Sequence, residues 1–261
     1  MTQILIEAWR RTAIVAAFGL AILMTVPIAQ AQETEPAEAA ASLSEEEIEA
    51  IIRTYLMENP EIVVEALQAF EAERAAEEER RAKDVIAALI DQINENPLSP
   101  VGGNPDGDVT IVEFYDYNCP YCKRDAPEII KLLAEDGNIR FVYKEWPILS
   151  PDSEIAARIA LAAWQQDKDA YRRLHDAMMA HRGKIDKDSA MAYAAAEGFN
   201  MERLVEDMAG AQVEAEIQHV RRLAEQIGIT GTPAYIVDGT LVRGAVGFEG
   251  LAKLVAAARA S

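Results

Sequence analysis

Soft and basic side chains are both scarce in this sequence. Its 261 residues hold two cysteines and three histidines, which rules out a small scaffold stapled by several disulfides. Lys and Arg number 25 against 44 Asp and Glu, a formal charge of -19, so an extended nucleic-acid or anionic-membrane surface is excluded. No repeat is evident, and the stretch 71–84, EAERAAEEERRAKD, has no apolar residue larger than alanine. What is plentiful is apolar residues, 50% of the chain, enough for a substantial core and incompatible with a disordered chain.

The first residues bear on the compartment. Arg10 and Arg11 precede an apolar run from Thr12 to Ile28, and Ala29-Gln30-Ala31 supplies the small residues of a cleavage site. Residues 1–31 therefore read as a signal peptide cut after Ala31, with an uncleaved anchor as the alternative. Residues 32–42 follow as a disordered leader of Glu, Ala, Pro and Thr.

Structure is expected from Leu43 onward. Ser44 and Glu47 suit a capping box, and Ile48, Ile51, Ile52, Tyr55 and Leu56 share one helical face. Asn59-Pro60 ends that helix and opens a second with Val63, Ala66, Leu67 and Phe70 on one side. The charged 71–84 stretch favours helix and offers nothing to a core, whereas the apolar pattern returns at Val85, Ile86, Leu89, Ile90 and Ile93. Residues 43–96 thus read as a helical region with a charged linker helix. Its early apolar face needs a cover, either a second copy of the chain or the main domain.

Breakers crowd residues 96–108, read as a linker. Beyond it, Val109 to Tyr115 is a buried central strand interrupted by Glu113, and Ile139 to Lys144 a second strand. A helix opened at the cysteines runs to Glu135 with Pro127 as an expected kink. Several helices fill about 150–227, their Met and aromatic residues read as core. Ala234 to Val237, the turn Asp238-Gly239 and Leu241 to Arg243 then form a hairpin, and Phe248 to Arg259 a last helix. The order gives an α/β domain over 97–261 with an all-helical insertion.

Cys119-Pro120-Tyr121-Cys122 follows the central strand and opens a helix. Free amides and the positive end of the helix dipole stabilise a thiolate at Cys119, and the spacing lets the two sulfurs bridge within one turn. Cys119 is then the attacking and more exposed sulfur, Cys122 the resolving one. A zinc half-site lacks a second pair, because His175, His181 and His219 are poorly spaced, and no histidine follows Cys122 for haem attachment. An inert structural bridge and a Cu(I) site remain as alternatives. Glu113, a carboxylate in an apolar strand, either tunes the cysteines or pairs with Lys144. Lys123 and Arg124 can favour the thiolate or simply face solvent, and Asp116, Tyr117 and Asn118 form the approach to the turn.

VEFYDYNCPYCKR, followed far downstream by GITGTPAYIV, resembles the thioredoxin-fold proteins of the bacterial DsbA family. The resemblance implies a thioredoxin-like fold over about residues 100–261, with the insertion within it and a helical stalk ahead of it. It implies a cis-proline at Pro233, with Thr232 and Pro233 facing the active cysteines, where a plain trans turn is the local alternative. An acidic residue at Glu113 fits the family pattern, and Pro120 and Tyr121 are expected to shape client contact. RTYLMENPEIVVEALQAF resembles the N-terminal region of ScsC-type members, in which that region can trimerise. The resemblance implies a periplasmic isomerase or reductase of wrong disulfides, working as a homo-oligomer on protein clients with cysteines or disulfides. It also implies a membrane redox partner, no cofactor and no nucleic acid. A monomeric dithiol oxidase is the alternative.

Overall fold

A computed structural model describes residues 43–260. The expected signal peptide and leader lie outside the described residues. The chain divides into two units, the first ending at Glu58. Its described part is helix α1, Glu45–Glu58, which buries none of its residues. Ser44 Oγ accepts from the Glu47 amide at 3.3 Å and Glu47 Oε2 accepts from the Ser44 amide at 2.9 Å, closing the expected capping box.

The second unit begins with α2, Pro60–Asn94, a single helix of 35 residues, about 52 Å long at the usual rise. Its halves differ. Val63, Val64, Leu67 and Phe70 are all more than half exposed, whereas Ala82, Ile86 and Ile93 are buried. Between them, Arg74 pairs with Glu78 and Arg80 with Glu77, so the charged stretch keeps its helix through its own surface. The boundary expected at residue 97 cuts through the packing of the buried half.

Five strands follow the order β1-β3-β2-β4-β5: β1 Val101–Gly103, β2 Val109–Tyr115, β3 Ile139–Glu145, β4 Ala234–Val237 and β5 Thr240–Arg243. Helix α3, Pro120–Glu135, joins β2 to its parallel partner β3, and the remaining pairs are antiparallel. The insertion comprises α4 Pro151–Gln166, α5 Lys168–Ala180, α6 Lys187–Ala196, α7 Met201–Met208 and α8 Ala211–Ile227, and α9 Gly247–Ala260 closes the chain. Ser150, Asp186 and Asn200 cap α4, α6 and α7 as side-chain acceptors, which fixes where each helix starts.

Alternation along β2 sorts residues onto two faces. Ile111 and Tyr115 meet Ile129 of α3, Leu174 of α5 and Leu251 of α9. Val112 and Phe114 meet Ile86 and Ile93 of α2 and Val220 and Leu223 of α8. The buried half of α2 is therefore part of the core behind the sheet.

Strand β1 was expected to be linker. Its two glycines hide it: a Cβ on Gly102 would sit 2.7 Å from Arg172 Nη1 and 2.9 Å from the Tyr143 ring, so the strand that pairs with β3 passes where a side chain has no room. The hairpin turn matches expectation, with Asp238 and Gly239 both at positive φ, 45° and 78°. Helix α3 is continuous through Pro127, whose ring removes one helical bond without ending the helix.

Candidate active site

The site is built where β2 gives way to α3. Asp116 receives three amides there, from Asn118 at 2.7 Å, Ile148 at 2.9 Å and Leu149 at 3.0 Å, tying the approach loop to the segment after β3. Asn118 exchanges bonds with the backbone of Ile185, at 2.7 Å and 3.1 Å, and donates to Ser153 Oγ. Tyr117 lies under the loop with its hydroxyl 3.0 Å from His175 Nδ1. A turn anchored at all three residues holds Cys119 in one position.

Cys119 is the N-cap of α3 and Pro120 its first residue. That arrangement places the Cys122 amide 3.5 Å from Cys119 Sγ, as helix-start geometry dictates. The Cys119 thiol is lowered to about 6. The Cys122 thiol, donating to it, is the main cause. Burial opposes, while the Thr232 hydroxyl and the amides of Cys122 and Tyr121 assist. As a thiol, Cys119 Sγ donates to the Thr232 carbonyl at 3.2 Å. Ionisation removes that bond, and the Thr232 hydroxyl, which has no other hydrogen-bond partner among the described residues, then serves the anion. The Cys122 thiol is pushed far up by burial, by its bond to Cys119 and by the charge of Glu113. Both thiols are free. Cys119 keeps 3% of its surface exposed and Cys122 none, so both cysteines are recessed and Cys119 is the less enclosed.

Thr232-Pro233 is a cis bond, and it lies against Cys119 as expected. Glu113 is 1% exposed, and burial pushes its carboxyl up to about 8. The pairing of Glu113 with Lys144 does not form. In the parallel register Glu113 lies opposite Tyr143 and Lys144 opposite Phe114, so the two point to opposite faces. Lys144 instead donates to Ser99 Oγ at 2.7 Å, and Ser99 donates on to Glu216 at 2.5 Å. Neither basic residue after Cys122 is turned toward the sulfur. Lys123 donates to the carbonyls of His181 and Gly183, at 3.0 Å and 2.6 Å, and Arg124 stacks 5.0 Å from the ring of Tyr121. Tyr121 itself is 55% exposed beside Cys119. Among the described residues no group of three or more His, Cys, Asp or Glu is placed to hold a metal.

Two residues to which the sequence reading gives no role also belong to the site. Tyr235 of β4 bridges Glu113 and Asp125 through its hydroxyl. The register gives Tyr235 away once β4 is known to lie against β2, since it is the partner of Glu113. Asp125, by contrast, reads as one more charge on a helix.

A model of the DSBA-like thioredoxin domain matches residues 110–256. The chain belongs to this family. Its members are thiol-disulfide oxidoreductases of thioredoxin-like fold, the fold seen here with its helical insertion and preceding helical region. A model of the copper resistance protein ScsC N-terminal domain matches residues 45–77. The structure of a thioredoxin-like oxidoreductase from Silicibacter pomeroyi DSS-3 is 43% identical, covering 66% of this chain and 98% of that one, with a TM-score of 0.63. Proteus mirabilis ScsC in a transitional conformation is 29% identical over 83% of this chain and 97% of that one, also with a TM-score of 0.63. The Na(+)/H(+) antiporter NhaA 1 of Salinispora arenicola is 31% identical over 62% of this chain, and the match covers only 26% of that protein. The chain thus spans about a quarter of the length of the curated antiporter it matches.

Proposed function

We propose that this DsbA-family protein is a periplasmic disulfide isomerase or reductase acting on misoxidised secreted proteins, with Cys119 attacking and Cys122 resolving. The observation that carries the reading is the split between two thiols one helical turn apart, one lowered to about 6 and the other raised by burial. At neutral pH Cys119 is the thiolate. It attacks one sulfur of a client disulfide, forming a bond to that sulfur while the other leaves as a client thiolate. That thiolate can then attack elsewhere in the client and reshuffle it. Alternatively Cys122 gives up its proton and attacks Cys119 Sγ, which closes the enzyme disulfide and releases the client reduced. A membrane redox partner then restores the dithiol. Thr232 and Pro233 line the approach, where the backbone of an extended client segment can pair with the Thr232 carbonyl and Tyr121 offers an apolar contact.

Support for an oligomer comes from the exposed apolar residues of α1, Ile48, Ile51, Ile52, Tyr55 and Leu56, and from those of the first half of α2. Soluble chains rarely leave so many uncovered, and the stretch coincides with the ScsC N-terminal match. Such an assembly, a trimer in our reading, would present several Cys119 sulfurs to one client. The signal-like start at 1–31 supports export. The word copper in that match brings no ligand set, because residues 45–77 contain neither cysteine nor histidine.

The test is turnover of a scrambled disulfide substrate together with mass by light scattering. Cys119→Ala should lower turnover by about a thousandfold or more, while Cys122→Ala should accumulate covalent client adducts. The chain from residue 32 should be oligomeric, and removal of residues 43–77 should give a monomer with weaker isomerase activity and unchanged thiol acidity. A monomeric full chain with net dithiol oxidation assigns the oxidase role instead, and retained turnover in Cys119→Ala rejects the mechanism.

A further inference from the structure

Acidic residues outnumber basic ones by 44 to 25 in this chain, and elsewhere in the fold arginines hold carboxylates. Arg158 takes Glu154 and Glu214, and Arg259 takes Asp108 and Asp136. Arg124 and Arg182 are exposed, and among the described residues neither has a carboxylate partner. Both line one groove of about 470 Å³ that starts at Pro120, the residue after Cys119. That volume lies within the range of ligand-binding clefts.

The groove runs between α3 and α5. Ala126, Pro127 and Ile130 of α3 and Met179 of α5 give it an apolar floor. Lys123 adds a third cation to the lining, and its carboxylate, Asp176, has Arg172 at 3.9 Å. The outer wall is the segment after α5, and it is pinned at several points. Lys123 donates to the carbonyls of His181 and Gly183, on either side of Arg182, and Asn118 exchanges bonds with Ile185. The turn that positions Cys119 therefore positions Arg182 as well, and a wall already in place costs an incoming chain little ordering. Arg124, stacked on Tyr121, keeps its in-plane N–H donors for a planar carboxylate. Pro120 and Ile130 lie about 15 Å apart along α3, the span of about four to five extended residues.

We propose that this groove selects clients by binding the extended segment next to their reactive cysteine, with acidic residues on Arg124 and Arg182 and an apolar residue on the floor between them. The inference rests on the exchange reaction proposed above and names the kind of client it favours. The groove holds the segment while Cys119 attacks: the bond from Cys119 Sγ to the client sulfur forms, the client disulfide breaks, and the displaced sulfur leaves with the electron pair. Arg124 and Arg182 touch the client and not the reacting sulfurs, so they set specificity. The whole molecule pulls the other way, because a formal charge of -19 draws basic partners. Groove and net charge thus give opposite orders of client preference.

The reduced chain from residue 32 tests the groove with peptides of one length, each carrying a central cysteine as its mixed disulfide with thiopyridine. Glu-Leu-Glu, Gln-Leu-Gln or Lys-Leu-Lys flanks the cysteine on both sides, one glycine away. Thiopyridone release reports the attack by Cys119, and each rate is divided by that of mercaptoethanol with the same peptide. The acidic peptide should react roughly fivefold faster than the neutral one at low ionic strength and the lysine peptide slowest, with the spread closing in about 0.5 M salt. Arg124→Glu combined with Arg182→Glu should reverse the order while the Cys119 titration stays in place. Equal rates, or a lysine peptide fastest in the wild type, overturn the proposal. So does an order unchanged in the double variant, or a reversal that comes with a displaced Cys119 titration. An acidic preference seen only after removal of residues 32–42 would put the chain's own Glu33, Glu35 and Glu38 in the groove and overturn the assignment to clients. Failure of the parent reading shows separately, as thiopyridone release that survives Cys119→Ala.

Discussion

Glu113 and Lys144 sit on adjacent strands, both buried, and the molecule treats them in opposite ways. Lys144, on the face toward α2 and α8, is met by Ser99, the Gln92 carbonyl and, through Ser99, Glu216. Burial lowers it to about 8, with Glu216 acting against the shift. Glu113, on the face toward α3, meets a phenol and another carboxylate. A buried charge supplied with a counter-charge through hydrogen bonds is a structural element. One left to be neutralised by a proton is equipped to exchange it, and it lies on the face that carries the cysteines.

The sharpest way to break that contrast is to treat both sites as structural. Lys144→Ala leaves Glu216 buried without its cation and should cost about 3 kcal/mol in urea unfolding at pH 7, while thiol titration leaves Cys119 near 6. A Cys119 titration displaced by a full unit in this variant would mean that the two faces are not independent.

Glu113→Gln should act the other way, with an effect that depends on pH. The folded carboxyl titrates at about 8 against an ordinary 4.5, so between those values the folded state holds a proton that the unfolded chain has released. Wild-type stability from this group is complete below the ordinary value and is lost as pH rises to about 8. At pH 9 the Gln variant should be the more stable on the order of 3 kcal/mol, with little difference at pH 4. The same variant should slow release of thionitrobenzoate from a Cys119 adduct, the attack made by Cys122, by about tenfold or more for want of a proton acceptor. Parallel unfolding curves across that pH range would remove Glu113 from the titrating groups.

The smallest effect should come from replacing the structural site as a unit. Lys144→Met combined with Glu216→Gln removes both charges and leaves Ser99 and Asn96 with an amide to bond. It should change stability by less than about 1 kcal/mol and leave the rate of that release unaltered. A large loss would show that the two charges linked through Ser99 do more than satisfy burial.

Much of the architecture could be read from local chemistry. The capping box of Ser44 and Glu47, Pro60 at a helix start and the Asp238-Gly239 turn mark elements whose signals lie within a few residues. The cysteine pair is legible for the same reason, since strand, turn and helix start are contiguous. Where the reading failed, the missing information was tertiary. Strand β1 exists through its pairing with β3, where Arg172 and Tyr143 leave room only for a glycine at residue 102, and no local pattern records that. The expected partnership of Glu113 with Lys144 failed by one residue of strand parity, which requires the register. Asp125 and Tyr235 are far apart in the chain and meet only after β4 returns beside β2. The apolar face of α1 and early α2 was seen, but the other half of α2 was assigned to the linker side of a boundary when its isoleucines belong to the core.

The recessed position of Cys119 has a consequence for which proteins can be processed by the proposed chemistry. A cysteine that keeps only 3% of its surface exposed admits another sulfur only along a narrow line, and a disulfide packed inside a finished fold cannot be brought there. A loosely folded chain can thread its bond into reach. Under the proposed function, access alone would act as proofreading, sparing correctly matured proteins without any recognition of their sequence.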